Sequence, residues 1–415
     1  MTRDNRRDKP RKVLLAGEKC AASYNAPMAL SPDICIRGAG IVGRSLALLL
    51  ARERLNVALV ESPTPPNTPD VRAYSLNGAA MALLKDLRCW PESPAVTPVH
   101  QMQVWGDHGG HLNFGAGEQG VGELNWMVDV AVLEERLAAA VKFQTHIQVV
   151  QAPVAAPLTV VCEGRASQTR AELGVGFAIS HYEQHALATR LSCERPHQGI
   201  ARQWFGWSPV PGHSQPQAEV LALLPVGGEG SHEVALVWSV HPLRAQQLMA
   251  LTPEVFAAEL AQACGLALGA MQLTADRAVW PLQLARADRW IGAMPGTSKQ
   301  SFALAGDAAH TLHPLAGQGL NVGLADVAEL VRVIRTKEFW RPLHDLKLLR
   351  RYERARQADV QAMALVTDGL QRLFAQPGPL WQNLRNWGMR GFDRSGPLKS
   401  WMTQQAMGKA SPDSL

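Results

Sequence analysis

The stretch from Asp33 to Glu61 leaves the chain few folds to choose from. Asp33-Ile-Cys-Ile-Arg37 reads as a buried strand, and Gly38-Ala-Gly40-Ile-Val-Gly43 follows at once. The apolar spacing then predicts a helix from Arg44 to Arg54 and a second strand, Val57-Ala-Leu-Val-Glu61. Strand, G-x-G-x-x-G, helix and strand, with an acid about twenty positions on, is the context in which this motif binds a dinucleotide. Gly38 permits the tight turn, Gly40 lets backbone approach a pyrophosphate, and Gly43 lets helix and strand pack closely. Glu61 is placed to hold ribose hydroxyls.

A second motif lies far along the chain. Ser301 to Ala305 reads as a buried strand that Gly306-Asp307 breaks, and the glycines and proline between His313 and Gly319, including Pro314 and Gly317, allow only loop. From Asn321 the apolar positions Val322, Leu324, Val327, Leu330, Val331 and Ile334 recur at helical spacing. Asp307 is thus placed to accept hydrogen bonds from sugar-like hydroxyls, and the N–H groups of the helix start, Gly319, Leu320 and Asn321, favour negative charge. Taken alone, an ordinary strand-to-helix connection explains this stretch equally well. Paired with the first motif it suggests FAD rather than NAD, because FAD needs a remote carboxylate for its ribityl chain.

Together the two motifs resemble those of the class A flavin monooxygenases, the para-hydroxybenzoate hydroxylase group. Gly306-Asp-Ala-Ala-His310-Thr-Leu-His-Pro314-Leu-Ala-Gly317-Gln-Gly319-Leu320-Asn321 is most similar to the ubiquinone-biosynthesis hydroxylase branch. The resemblance runs from about Asp33 to Lys409. It implies an α/β fold: a Rossmann-type FAD-binding domain, an inserted, mostly antiparallel β-sheet substrate domain, and a C-terminal helical segment. It also makes Arg72 a candidate phosphate or ribityl contact, with a solvated loop arginine as the plain alternative. Glu163-Gly164, after the strand Leu158 to Cys162, resembles the family's Asp-Gly motif with Glu in place of Asp, a reach one methylene longer. Arg170 is a candidate for pyrophosphate or for pairing with Glu163, and a surface ion pair is the bland reading. The ribityl-side Gln or Arg of the family has no counterpart at Asp129, Val130 and Ala131.

Composition narrows the class further. The 415 residues suffice for two or three packed units, and the net charge of +5 does not point to nucleic acid. The six cysteines are scattered, with no Cys-x-x-Cys, which argues for reduced thiols in a cytoplasmic setting and against structural zinc. No apolar run is long enough to span a membrane. Residues 1–31 are polar and basic and read as a disordered extension or as upstream of a true start at Met28. The expected organisation assigns 32–100, 128–180 and 286–340 to the FAD-binding domain, 101–127 and 181–285 to the substrate domain, and 341–415 to helices. Those basic helices read as a dimer face or cover, or as a weak membrane-surface patch.

The chain shows no Ser-His-Asp arrangement, metal-ligand spacing or P-loop, so a cofactor must carry the difficult step. The resemblance implies NAD(P)H as transient reductant, O2 as co-substrate and an electron-rich phenol as acceptor. A polyprenylated phenol of ubiquinone biosynthesis fits best, and other proteins of that pathway become candidate partners. A small free phenol keeps the fold with another substrate, and a non-catalytic quinone-binding assembly subunit keeps it without the chemistry. A halogenase is disfavoured by the missing Gly-Trp-x-Trp-x-Ile-Pro segment. Pro314 and the loop to Gly317 are expected to shape the flavin face, and the N–H of Gly319, with those of Leu320 and Asn321, to stabilise the negative charge of the reduced flavin. His310 is either a proton relay or a structural hydrogen-bonding group.

Overall fold

Ile34–Arg37 and Val57–Val60 pair in parallel, as the first motif requires. They belong to a six-stranded sheet ordered Ile291–Ala293, Ser301–Leu304, Leu158–Val161, Ile34–Arg37, Val57–Val60, Ile147–Val150. Every neighbouring pair is parallel except the edge strand Ile291–Ala293, which runs antiparallel to Ser301–Leu304. The computed structural model describes residues 31–61, 71, 73–106, 110–311 and 319–375. Expectations for residues 1–30, 62–70, Arg72, Pro314, Gly317 and 376–415 lie outside these.

The strands of this sheet read as short apolar runs because helices cover them. Ile34, Ile36, Val160, Ala303 and Leu304 share one core with Leu46 and Leu50 of helix Ile41–Arg52, Leu133 and Leu137 of helix Val130–Lys142, and Val327 and Leu330 of helix Gly319–Arg335. Burying each such aliphatic side chain contributes about 1.5–3 kcal/mol, which fixes these helices against the sheet. The first helix starts at Ile41, three residues before the expected Arg44, because Gly40 is its N-cap. Its opening turn is therefore built from the glycine motif itself.

A second sheet has nine strands. Its main path is His310–Thr311, Ala278–Ala287, Phe177–Cys193, Glu233–Val240, Gln217–Val226, Ile200–Ser208, Gln101–Trp105, His111–Gly115, with Met271–Leu273 beside Phe177–Cys193. All pairings are antiparallel except Ile200–Ser208 with Gln101–Trp105. Alternation sorts the side chains. Leu221, Leu223, Leu236 and Trp238 point into a core with Phe256 and Leu260 of helix Pro253–Ala263. Trp238 is therefore packing, not a ligand wall.

Three elements do not follow the residue ranges read from the sequence. The 17-residue strand Phe177–Cys193 begins before residue 181, because it pairs with Ala278–Ala287 as a long ribbon. Asn125–Asp129 leaves the large sheet and joins Ala73–Leu76 and Val96–Val99 in a three-stranded antiparallel sheet. After Arg341 the chain first makes turns, and the long helix opens only at Leu346. A short helix, Pro242–Ala250, was hidden in sequence by its weak apolar pattern, although Pro242 follows its N-cap His241. No helix among the described residues is long and apolar enough to cross a membrane.

Candidate functional site

Three neighbouring parallel strands end side by side and deliver the three motifs to one place. Ile34–Arg37 leads into Gly38, Leu158–Val161 into Glu163-Gly164, and Ser301–Leu304 into Gly306-Asp307. Crevices at the carboxyl ends of parallel strands are where such sheets bind ligands. The regions whose separation would have ruled out a shared site are adjacent.

The glycines show how tightly the pieces meet. Gly38 has φ +108°, and a Cβ there would lie 2.6 Å from the Cys162 carbonyl oxygen. A Cβ on Gly43 would lie 1.9 Å from the Gly38 carbonyl oxygen. A Cβ on Gly40 would meet nothing within 4 Å. Gly40 also caps its helix without a side-chain hydrogen bond. The helix thus presents N–H groups to an open, side-chain-free approach, which fits the pyrophosphate of a dinucleotide. Gly306 (φ +64°) and Gly323 both face Val42, bringing the late turn and its helix against the first helix.

The expected acids have definite partners. Glu61 pairs with Arg44 at 2.6 Å, so the first helix holds it in place. Glu163 accepts hydrogen bonds from Ser167 Oγ (2.7 Å), the Thr169 N–H (3.1 Å) and Thr169 Oγ1, and lies 3.3 Å from Arg37 Nε. The extra methylene lets it close the loop onto helix Gln168–Glu172. Gly164 (φ +77°) turns that loop with open space beside it. The Arg170 guanidinium donates to the carbonyls of Ala308 and Arg165 at 3.1 and 3.0 Å and lies over the Phe177 ring. It ties the Glu163 loop to the late turn. Asp129 caps helix Val130–Lys142 and faces Arg190 at 3.4 Å.

Asp307 is exposed on a turn whose neighbours Gly306 and Ala308 are buried. Behind it stands a charged network that sequence reading missed. Asp326, fully buried, accepts from the Gly306 N–H at 2.9 Å, meets His310 Nε2 at 2.7 Å and accepts from Arg356 Nε at 2.8 Å. Trp290 packs against the His310 ring, with centroids 4.9 Å apart. His310 is therefore a buried structural group in this arrangement. Two signals were available: Asp326 interrupts the apolar stripe of its helix, and Arg356 follows Leu349 and Tyr352 on the buried stripe of the next.

Burial alone would raise the Asp326 pKa, but His310 and Arg356 outweigh it and hold it below the usual carboxylate range. A depressed folded pKa contributes stability above the unfolded value of about 3.9, lost as the pH falls through the folded one. Asp326→Asn is accordingly expected to lower the urea midpoint most at neutral pH. The gap to wild type should shrink below about pH 4, and a constant gap would refute the assignment.

Asn321 anchors the start of helix Gly319–Arg335. Its Nδ2 donates to the Ser75 carbonyl at 2.8 Å and its Oδ1 accepts from the Asn77 N–H at 3.0 Å. Asn321→Leu leaves that buried donor and acceptor unpaired, and about 1–3 kcal/mol of stability for each should be lost in chemical denaturation. Gly319 and Leu320 open the same helix. Among the described residues no His, Cys, Asp and Glu side chains gather into a group able to hold a metal.

Residues 112–367 match the FAD binding domain family. Two curated relatives match across most of their lengths. One is the 3-demethoxyubiquinol 3-hydroxylase of Escherichia coli (strain K12), 28% identical over 91% of this chain and 98% of the relative. The other is the ubiquinone hydroxylase UbiL of Rhodospirillum rubrum, 30% identical over 91% of this chain and 89% of the relative. Among solved structures, the p-nitrophenol 4-monooxygenase PnpA of Pseudomonas putida DLL-E4 has a TM-score of 0.68 at 15% identity, covering 92% of this chain and 99% of that one. A variant of Klebsiella pneumoniae HpxO complexed with FAD has a TM-score of 0.64 at 15% identity, covering 91% of this chain and 98% of that one. With its three converging motifs and these matches, the chain belongs to the FAD binding domain family and is a class A FAD-dependent monooxygenase.

Proposed function

We propose that the enzyme hydroxylates the ring of a polyprenylated phenol in ubiquinone biosynthesis, with NAD(P)H as reductant and O2 as oxygen donor. The observation that supports this reading is a half-buried apolar face on the large sheet. Val220, Ala222, Leu224 and Val237 are only half-buried, although Leu221, Leu223, Leu236 and Trp238 on the same strands are buried, and half-buried Phe205 pairs with Val220. Ala186, Ala188 and Ser239 share that face. Those three are buried, so a flat ring and a hydrocarbon tail would lie along the half-buried Val220, Ala222, Leu224 and Val237. The small sheet links this apolar face to the glycine turns. Met127 and Val99 pack with Ala201, Val226 and Ala235, while Ser75 and Asn77 hold Asn321.

FAD, when bound, supplies the redox chemistry and the activation of oxygen. The chain's own residues bind and orient. In this reading Gly38, Gly40 and Gly43 admit the pyrophosphate to the helix start, Glu61 holds the adenosine ribose, and Asp307 holds the ribityl hydroxyls. The N–H groups of Gly319, Leu320 and Asn321 would stabilise negative charge on the pyrimidine edge. Gly164 and Arg170 shape the loop beside them. Arg72, Pro314 and Gly317 keep the roles the family resemblance implies. The apolar face would keep water from the reacting ring.

The decisive experiment is turnover of polyprenylated phenols in detergent with NADH and with NADPH, followed by mass spectrometry for the gain of one oxygen atom. Oxidation of small free phenols alone would replace the substrate. A colourless protein that takes up no FAD would favour a quinone-binding assembly subunit.

A peripheral membrane contact belongs to the same proposal. Phe339 and Trp340, 90% and 67% exposed, sit at the tip of a turn closed by Arg341 N–H to Glu338. Lys347, Arg350 and Arg354 are exposed on the helix that follows. Aromatic and cationic groups together suit an anionic bilayer surface. Co-sedimentation with anionic liposomes should fall at high salt and with Phe339→Ser/Trp340→Ser, and binding indifferent to lipid charge would remove this contact.

A further inference from the structure

We propose that the first turns of helix Leu346–Ala375 act as a clasp on the cofactor turn, with Arg356 and Asp326 as its positioning residues. This rests on the reading that the Gly306-Asp307 turn binds FAD. Three side chains of one helix stretch reach three parts of that turn's support. Tyr352 Oη donates to the Leu304 carbonyl at 2.8 Å, the last residue of the strand that delivers the turn. Glu353 accepts from the Trp290 N–H at 2.9 Å, and Trp290 packs on His310. Arg356 Nε donates to Asp326 Oδ1.

Asp326 is the link, and its two oxygens divide the work. Oδ1 faces Arg356 on the clasp, while Oδ2 receives the Gly306 N–H and meets His310 on the turn. A carboxylate is planar, so fixing one oxygen fixes the other. The N–H held by Oδ2 immediately precedes Asp307, and its position sets where the Asp307 backbone begins. Arg356 Nη2 also lies 3.4 Å from the Val322 carbonyl, in the helix whose first turn carries Asn321. The network is sealed: His310, Asp326 and Arg356 are 2%, 0% and 6% exposed. Water therefore cannot replace a missing partner, and the turn's geometry depends on the clasp being seated. The coupling is reciprocal by necessity: a ligand that orders the turn must tighten the helix, and a loosened helix must weaken that ligand.

Hydrogen exchange on the wild-type protein, FAD-loaded against FAD-stripped, tests this without mutation. Exchange should slow on loading in peptides spanning 346–362 as well as 304–310. Protection at 304–310 with none at 346–362 would overturn the clasp while leaving the flavoprotein reading intact. A wild type that takes up no FAD overturns both. Arg356→Gln should raise the FAD dissociation constant by roughly 5–150-fold at a temperature where the variant is folded. Arg356→Lys should fall between the two, and the flavin absorption spectrum should shift with affinity. A merely structural arginine would lower the melting temperature and leave both readouts unchanged in the folded protein, which would count against the proposal.

Discussion

Gly43→Ala will purify almost without flavin and will melt below the wild type. The added methyl group would lie 1.9 Å from the Gly38 carbonyl oxygen and 3.4 Å from the Cys162 Cβ. The near atom is backbone on a left-handed turn, so it cannot swing aside, and the helix must move off the sheet. Overpacking of this kind costs about 1–3 kcal/mol. The same movement takes the helix N–H groups away from the pyrophosphate. Each charge-assisted hydrogen bond lost removes about 1.5–3 kcal/mol, at least roughly tenfold in affinity. Gly40→Ala separates the two effects, because its methyl group meets no protein atom within 4 Å. It should melt like the wild-type apoprotein and still bind FAD poorly. Flavin absorbance after gel filtration and a thermal melt of each apoprotein decide the matter. A yellow Gly43→Ala protein of unchanged melting temperature would show that the glycine motif does not hold the cofactor.

Asp307→Ala should lose FAD while keeping its fold. The residue is exposed, and Gly306, Ala308 and His310 carry hydrogen bonds that hold its turn. Removing a carboxylate that accepts sugar hydroxyls should cost about 1.5–3 kcal/mol of binding per hydrogen bond, or roughly 10–150-fold in the dissociation constant. Asp307→Asn, which keeps an acceptor and drops the charge, should lie between. Equilibrium dialysis against FAD measures both. Unchanged flavin content in Asp307→Ala would mean that another residue holds the ribityl chain.

The parallel sheet was legible because its strands and helices carry period and punctuation locally. Gly38 to Gly43, Leu158 to Gly164 and Ser301 to Asp307 each announce a strand end within a few residues. Their convergence was legible only through the family resemblance, since strand order is set by distant pairings. Glu163 shows the limit from another side. Its identity as an acid was plain, but its partners Ser167 and Thr169 are a property of the loop path. Asp326 and Arg356 stayed hidden for a different reason. Each looks like an ordinary surface charge until the stripe it interrupts is seen to be buried, and neither explains itself without the other. Phe177–Cys193 runs across residue 181 as one strand, a continuity set by its distant partner Ala278–Ala287.

The side-by-side ends of Ile34–Arg37, Leu158–Val161 and Ser301–Leu304 also govern when the protein can become an enzyme. The middle strand of the three cannot recruit its last neighbour until Leu304 of the 415 residues has left the ribosome. Pairings across such separations form late and expose apolar edges while they wait. Flavin uptake through all three motifs is therefore expected only after the strand Ser301–Leu304 has paired. A chain truncated before Ser301 would remain permanently cofactor-free, however well its amino-terminal motif had folded.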